Sequence, residues 1–331
     1  MTVGAALLLY AAIVAVFGRF AHRHEAWLAR APRLGAGLLL AAAGSLLTAI
    51  FLAGLTVALP GTALSSGLSQ LLGACILRLR AAYVTPGGAA VAGAGITLSA
   101  AIAVRVGWAS FQVVQTRRTE RRRQRSLLSL YGHPATELGA VIVDQPQPAA
   151  YCLAGRANTV VLTSRTVELL TGPQLAAVLA HERAHLGSRH HRLLACAALA
   201  ERALPELPFM RELPRAVRRL LEMHADDVAA RTHDPEALAT ALVAVVTARS
   251  GLAPVSTSSA TLAAADGDTV MRIQRLLLPP AALSPPRRRT VRAAVAVLGL
   301  MPLLVALTPA AVATTQPPVR QPHPVIAVRP H

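Results

Sequence analysis

The sequence predicts a helical membrane protein of four transmembrane helices, with a mixed α+β domain inserted before the last of them. Three observations predict it. Hydrophobic residues make up 53% of the 331 and charged residues only 15%, against about 25% charged in an ordinary soluble domain. Four apolar stretches approach or reach the ~20 residues that a bilayer-spanning helix needs. A single polar insert of about 175 residues, a normal domain size, separates the third stretch from the fourth.

Residues 1–114 form the membrane region, with spans at about 3–20, 35–60 and 88–114. The first span lacks the basic leading region of a signal peptide, and its positive charge follows it at Arg19, Arg23, Arg30 and Arg33. That order marks a retained span with the N terminus outside. The loop after the second span carries only Arg78 and Arg80 and is expected outside. Within it, Leu64, Leu68, Leu71, Leu72, Cys75, Ile76 and Leu79 recur at helical spacing, as in an amphipathic helix lying on the membrane surface. Arg105 sits near one end of the third span, where it can snorkel beside Trp108. Arg117, Arg118, Arg121, Arg122, Arg123 and Arg125 follow that span, and Arg287, Arg288, Arg289 and Arg292 precede the fourth at 291–313. Both runs place the insert, residues 115–290, in the cytoplasm. The proline-rich tail, 314–331, is then extracytoplasmic.

Composition excludes several classes. The net charge is +17, but the arginine runs hug the span ends without interleaved aromatics. They read as topology anchors touching lipid head groups, not as a nucleic-acid surface. The spans carry no acidic residue, which argues against a transporter. Cys75, Cys152 and Cys196 show no metal-binding or disulfide spacing.

Inside the insert, Leu138–Asp144 alternates like a strand. Ala149–Leu153 and Thr159–Thr163 read as a hairpin around Ala154–Asn158. Helices follow. Ser164 is placed to cap Arg165–Leu170, and Thr171 with Gln174 brackets Pro173 in a capping-box pattern. Further helices are expected over about Arg215–Arg231, from Asp234 to Gly251, and over Asp268–Leu278, with a small-residue loop at Ala253–Gly267.

The helix opened by Thr171 carries His181-Glu-Arg-Ala-His185. Histidines four apart share a helix face, so both imidazoles can reach one zinc ion. A glutamate beside the first can act as general base on a water there, the chemistry of a metallopeptidase. A catalytic zinc needs a third protein ligand. The candidates are His190, His191, Glu222, His224 and Asp226. Glu222 is the best placed, with Asp226 one turn later on the same helix face to accept a hydrogen bond from the outer N–H of a zinc-bound histidine. A three-histidine site using His191 needs glycine at 188, where the chain has Ser188, with Gly187 before it. His190, His191 and His224 are expected at the surface or behind the ligands.

In these motifs the chain resembles the BlaR/MecR-type membrane zinc metallopeptidases. These are gluzincins, related to the HtpX-type and CAAX-prenyl-type peptidases. The resemblance rests on the four spans, on His181–His185 with Glu222-Met-His-Ala-Asp226, and on Ala150–Gly155 followed by Val160–Ser164. It implies an inserted zincin-like domain in a bacterial cell membrane, with His181, His185 and Glu222 holding one zinc ion, Glu182 as base and Asp226 behind the ligands. A substrate strand would pair with Tyr151, Cys152 and Leu153. The implied activity is regulatory proteolysis of a cytoplasmic protein such as a BlaI/MecI-like repressor. An HtpX-like quality-control protease and a non-proteolytic receptor or scaffold are the alternatives. The short tail leaves no room for the penicillin-binding sensor domain of that family, so direct β-lactam sensing is not expected.

Overall fold

A computed structural model describes residues 2–23, 25–58, 88–155, 158–249 and 267–315. The expected surface helix within 61–87, nearly all of the loop at 253–267 and the tail beyond 315 lie outside the described residues. Helices α1 (Thr2–Arg23), the one-turn α2 (Glu25–Leu28), α3 (Pro32–Ala58) and α4 (Gly88–Tyr131) come first, and α11 (Pro285–Thr315) comes last. Four of these helices, α1, α3, α4 and α11, are long and apolar enough to cross a membrane. Helix α4 does not end with its apolar stretch at residue 114. No glycine or proline interrupts residues 115–131, so the helix runs through the arginine-rich segment until Gly132 and Pro134 break it.

The chain divides into two compact units. The first comprises residues 1–10, 48–100 and 301–331. In it α3 and α4 meet at small residues. A Cβ added at Gly54 would lie 2.5 Å from the Gly95 carbonyl oxygen, so only glycine permits the approach. Ser99 Oγ donates to the Phe51 carbonyl at 2.9 Å across the same contact.

The second unit comprises residues 11–47 and 101–300. Its sheet contains β1 (Gly132–Ala135), β2 (Ala140–Val143), β3 (Ala150–Leu153) and β4 (Thr159–Thr163), in the order β1-β2-β4-β3. β2 and β4 are parallel, and the outer pairs β1/β2 and β3/β4 are antiparallel. β4 is an interior strand with Val160, Val161 and Leu162 buried, as its unbroken apolar run demands. The expected hairpin forms with Tyr151 opposite Val161 and Leu153 opposite Thr159, leaving β3 at the sheet edge. β1 is a strand that the pattern did not predict, since four residues containing a proline show no periodicity.

Helices α5 (Ser164–Leu169), α6 (Gly172–Gly187), α7 (His190–Ala203), α8 (Pro208–Ala229), α9 (Pro235–Arg249) and α10 (Gly267–Leu277) complete the unit. The cap of α5 is Thr163, not Ser164, because the Thr163 hydroxyl accepts from Thr166 N. Thr171 N donates to Gln174 Oε1 at 3.0 Å, the return bond of the capping box opening α6. Helix α8 starts at Pro208, well before the expected Arg215, and carries Pro214 inside it. An interior proline costs about 3 kcal/mol. Phe209, Met210 and Leu213 nevertheless extend the buried stripe of Val217, Leu220 and Leu221, and each buried side chain returns about 1.5–3 kcal/mol. The core joins Val160 and Leu162 of the sheet to Leu175, Val178 and Leu179 of α6 and to Leu238 of α9.

Candidate metal centre

Helix α6 buries Leu175, Val178 and Leu179 on the core and carries His181 and His185 on its next turns. Their Nε2 atoms lie 3.1 Å apart. Helix α8 supplies Glu222, whose Oε2 is 3.4 Å from His181 Nε2 and whose Oε1 is 3.5 Å from His185 Nε2. These three residues form a group able to hold a metal ion. Donors about 2.0–2.2 Å from a tetrahedral zinc stand about 3.3–3.5 Å from one another, so the triangle has the right size. Its chemistry fits too, because two imidazole nitrogens facing at 3.1 Å must share a proton or a cation. His191 stays out of this group, and its backbone oxygen accepts from Arg117 Nη1 at 2.6 Å.

Asp226, 1% exposed, places Oδ1 at 2.9 Å from His181 Nδ1. A residue that no motif singles out then enters from α10. Arg272 donates Nε to Asp226 Oδ2 and Nη2 to Asp226 Oδ1, both at 2.7 Å, and its Nη1 lies 3.2 Å from Glu222 Oε2. The arginine holds both acids charged. Burial works against Asp226 and Glu222, yet Arg272 and His181 together hold Asp226 below its ordinary value. His181, His185 and Arg272 hold Glu222 far below its own. Burial likewise works against a charge on His181, but Asp226 and Glu222 raise it to about 9. The clue available in sequence was the amphipathic pattern of Val270, Ile273 and Leu276, with Arg272 and Arg275 off that face. Arg275 clamps Asp227 and donates Nη2 to the Ala29 carbonyl at 3.1 Å.

Glu182 is half-buried beside the triangle, and burial drives its carboxyl above the ordinary carboxylate range. The Cys152 thiol of β3 hydrogen-bonds to it. Burial and that carboxylate push the thiol up to about 12, so Cys152 stays protonated. A cavity of about 570 Å³ opens here, lined by Tyr151, Cys152, Glu182 and the apolar Val178, Leu242 and Val245. Leu153, the third residue of the expected substrate strand, pairs with Thr159 at the hairpin end of β3. Of the two positions expected for His190 and His224, at the surface or behind the ligands, neither residue takes the fully exposed one. His190 is 1% exposed and contacts His185, and His224 is half-buried with Nε2 3.4 Å from Ser188 Oγ.

Helix-borne imidazoles, a carboxylate from a second helix and a half-buried carboxyl beside an open cleft are compatible with a metallopeptidase. The chain belongs to peptidase family M48, whose model matches residues 115–329. M48 peptidases are zinc-dependent, and the group formed by His181, His185 and Glu222 is compatible with that metal. No curated protein and no solved structure matches the chain.

Proposed function

We propose that this chain is an integral membrane zinc endopeptidase of the BlaR/MecR type that cleaves a cytoplasmic protein, such as a BlaI/MecI-like transcriptional repressor. The observation that carries the reading is the donor triangle of His181, His185 and Glu222 with Glu182 beside it. The four apolar helices and the arginine runs at their ends support membrane insertion, with residues 115–290 as a cytoplasmic peptidase domain and both termini outside. Residues 1–114 and 291–313 are then the membrane region.

In this reading His181, His185 and Glu222 hold the metal. Zinc, when bound, supplies a Lewis acid for the scissile carbonyl and lowers the pKa of water to about 7. Glu182 takes a proton from the attacking water and delivers it to the leaving amine. Its raised pKa suits both halves of that transfer. Asp226, held by Arg272, keeps the His181 ring oriented. The substrate adds as a strand to the edge at Tyr151, Cys152 and Leu153, and one of its side chains enters the apolar wall formed by Val178, Leu242 and Val245.

Replacing Glu182 with glutamine removes the base and keeps the shape. Turnover is expected to fall about 10²–10⁴-fold with zinc content unchanged. N-terminal proteomics on cells expressing wild type or Glu182→Gln reads the substrate. A few Glu182-dependent cuts in one cytoplasmic DNA-binding repressor support regulatory proteolysis. Cuts spread over unrelated membrane proteins replace it with quality control, and unchanged cleavage in the variant sinks the peptidase mechanism.

A further inference from the structure

His190 is the first residue of α7 and is only 1% exposed. Its Nδ1 lies 2.8 Å from Nδ1 of His185, and the two rings stand edge-on at 88°. Two ring nitrogens at that distance hold one proton between them, so one donates and the other accepts. The direction follows from the other end of His185. Its Nε2 faces His181 Nε2 at 3.1 Å and Glu222 Oε1 at 3.5 Å. A metal held there takes the Nε2 lone pair, which leaves the proton of a neutral imidazole on Nδ1. His185 Nδ1–H therefore donates, and His190 Nδ1 accepts.

The backbone is built to make this contact. Only Ser188 and Arg189 separate α6 from α7, and Arg189 is left-handed at φ 54°, ψ 38°. That conformation is disfavoured for a side-chain-bearing residue, and Arg189 is the only non-glycine residue with positive φ among the described residues. The sharp reversal lays residue 190 back over residue 185. His224 of α8 packs on the His190 ring, with centroids 5.3 Å apart, and limits its rotation.

We propose that His190 is a positioning residue whose Nδ1 lone pair fixes the tautomer and ring orientation of His185, the service that Asp226 performs for His181. This rests on the reading of His181, His185 and Glu222 as the zinc ligands. The site then has an uneven support, a carboxylate behind one histidine and an imidazole behind the other.

The test uses the full chain in detergent, stripped of metal. Zinc affinity is measured by competition with a chromophoric chelator, ligand geometry by the visible spectrum of the cobalt-loaded chain, and folding by metal-free thermal unfolding. His190→Leu keeps bulk but has no acceptor, and it is expected to weaken zinc binding about 10–100-fold and to shift the cobalt bands. His190→Asn restores an acceptor near the Nδ1 position and is expected to bind close to wild type. His190→Asp supplies a stronger acceptor and should bind at least as tightly as the asparagine variant, a comparison that stands if the leucine variant does not fold. Equal affinities for the leucine and asparagine variants overturn the proposal, as does an aspartate variant weaker than asparagine. His181→Ala and Glu222→Gln separate the two readings. If both retain full zinc affinity, the ligand assignment itself falls, and the role of His190 falls with it.

Discussion

His181 and His185 stand one turn apart on one helix and point Nε2 at the same place, yet their far sides meet opposite environments. Behind His181 lie a buried carboxylate and the guanidinium that neutralises it, Asp226 and Arg272. Behind His185 lies an uncharged ring, because burial first, and then His185 and His224, hold His190 down to about 3. One histidine is fixed by charged groups from two other helices, the other by a neutral contact across a two-residue turn. A carboxylate clamp is strong and intolerant of losing a member. A neutral contact is cheaper to remove and governs orientation more than stability.

The largest effect expected from this contrast is at Asp226. Asp226→Ala takes the bidentate partner from the Arg272 guanidinium, whose side chain is only 13% exposed and is left with Glu222 alone, and breaking such a buried pair costs about 3–5 kcal/mol. Chemical denaturation of the metal-free chain should show that loss. The double variant Asp226→Ala with Arg272→Met should recover part of it, since the guanidinium that lost its bidentate partner is gone and Glu222 keeps His181 and His185. A single-variant loss no larger than that of His190→Leu would erase the contrast.

Next comes pH. In the metal-free chain, Asp226 and Glu222 hold the His181 proton on up to about 9 against the ordinary 6.5. The stability this adds is fully present below about 6.5 and is lost as pH rises through about 9. On the proposed ligand set zinc must expel the same proton, so its affinity should climb about tenfold per pH unit toward 9 and flatten above. Calorimetric or chelator titrations across pH 6–10 check this. In Asp226→Asn the climb should level off at lower pH, and an unchanged profile there would show that Asp226 does not hold the proton.

The smallest effect is expected at Arg189. Arg189→Gly removes the left-handed strain, offset by the greater freedom of an unfolded glycine, for a net gain of at most about 1 kcal/mol. Zinc affinity should stay unchanged because the path of the turn is kept. A large loss of affinity would mean that the arginine side chain, not the turn, places His190.

What was legible in the sequence had a local period. Histidines four apart, Glu222 with Asp226 one turn on, and the β3/β4 hairpin all announce themselves within a few residues. Arg272 does not. It reaches Asp226 across 46 residues of chain, and no spacing rule links an arginine to an acid on a different helix. His190 was expected either at the surface or behind the ligands, and the sequence could not choose, because the left-handed Arg189 that folds it inward has no glycine to signal it. The helix expected to begin after Pro214 begins at Pro208, since the buried stripe outweighs the proline. In each of these cases a tertiary contact decided what the local pattern could not.

Chain order gives the Arg272 clamp a meaning in time. A ribosome delivers His181 and His185 first, then Glu222 and Asp226, and the guanidinium that balances those acids last of all. Until α10 emerges and docks, the nascent domain holds two neighbouring carboxylates with no cation from that helix, and the ring of His181 has no firmly held acceptor. The donor group at His181, His185 and Glu222 thus receives its balancing cation from one of the last segments of the chain to be made.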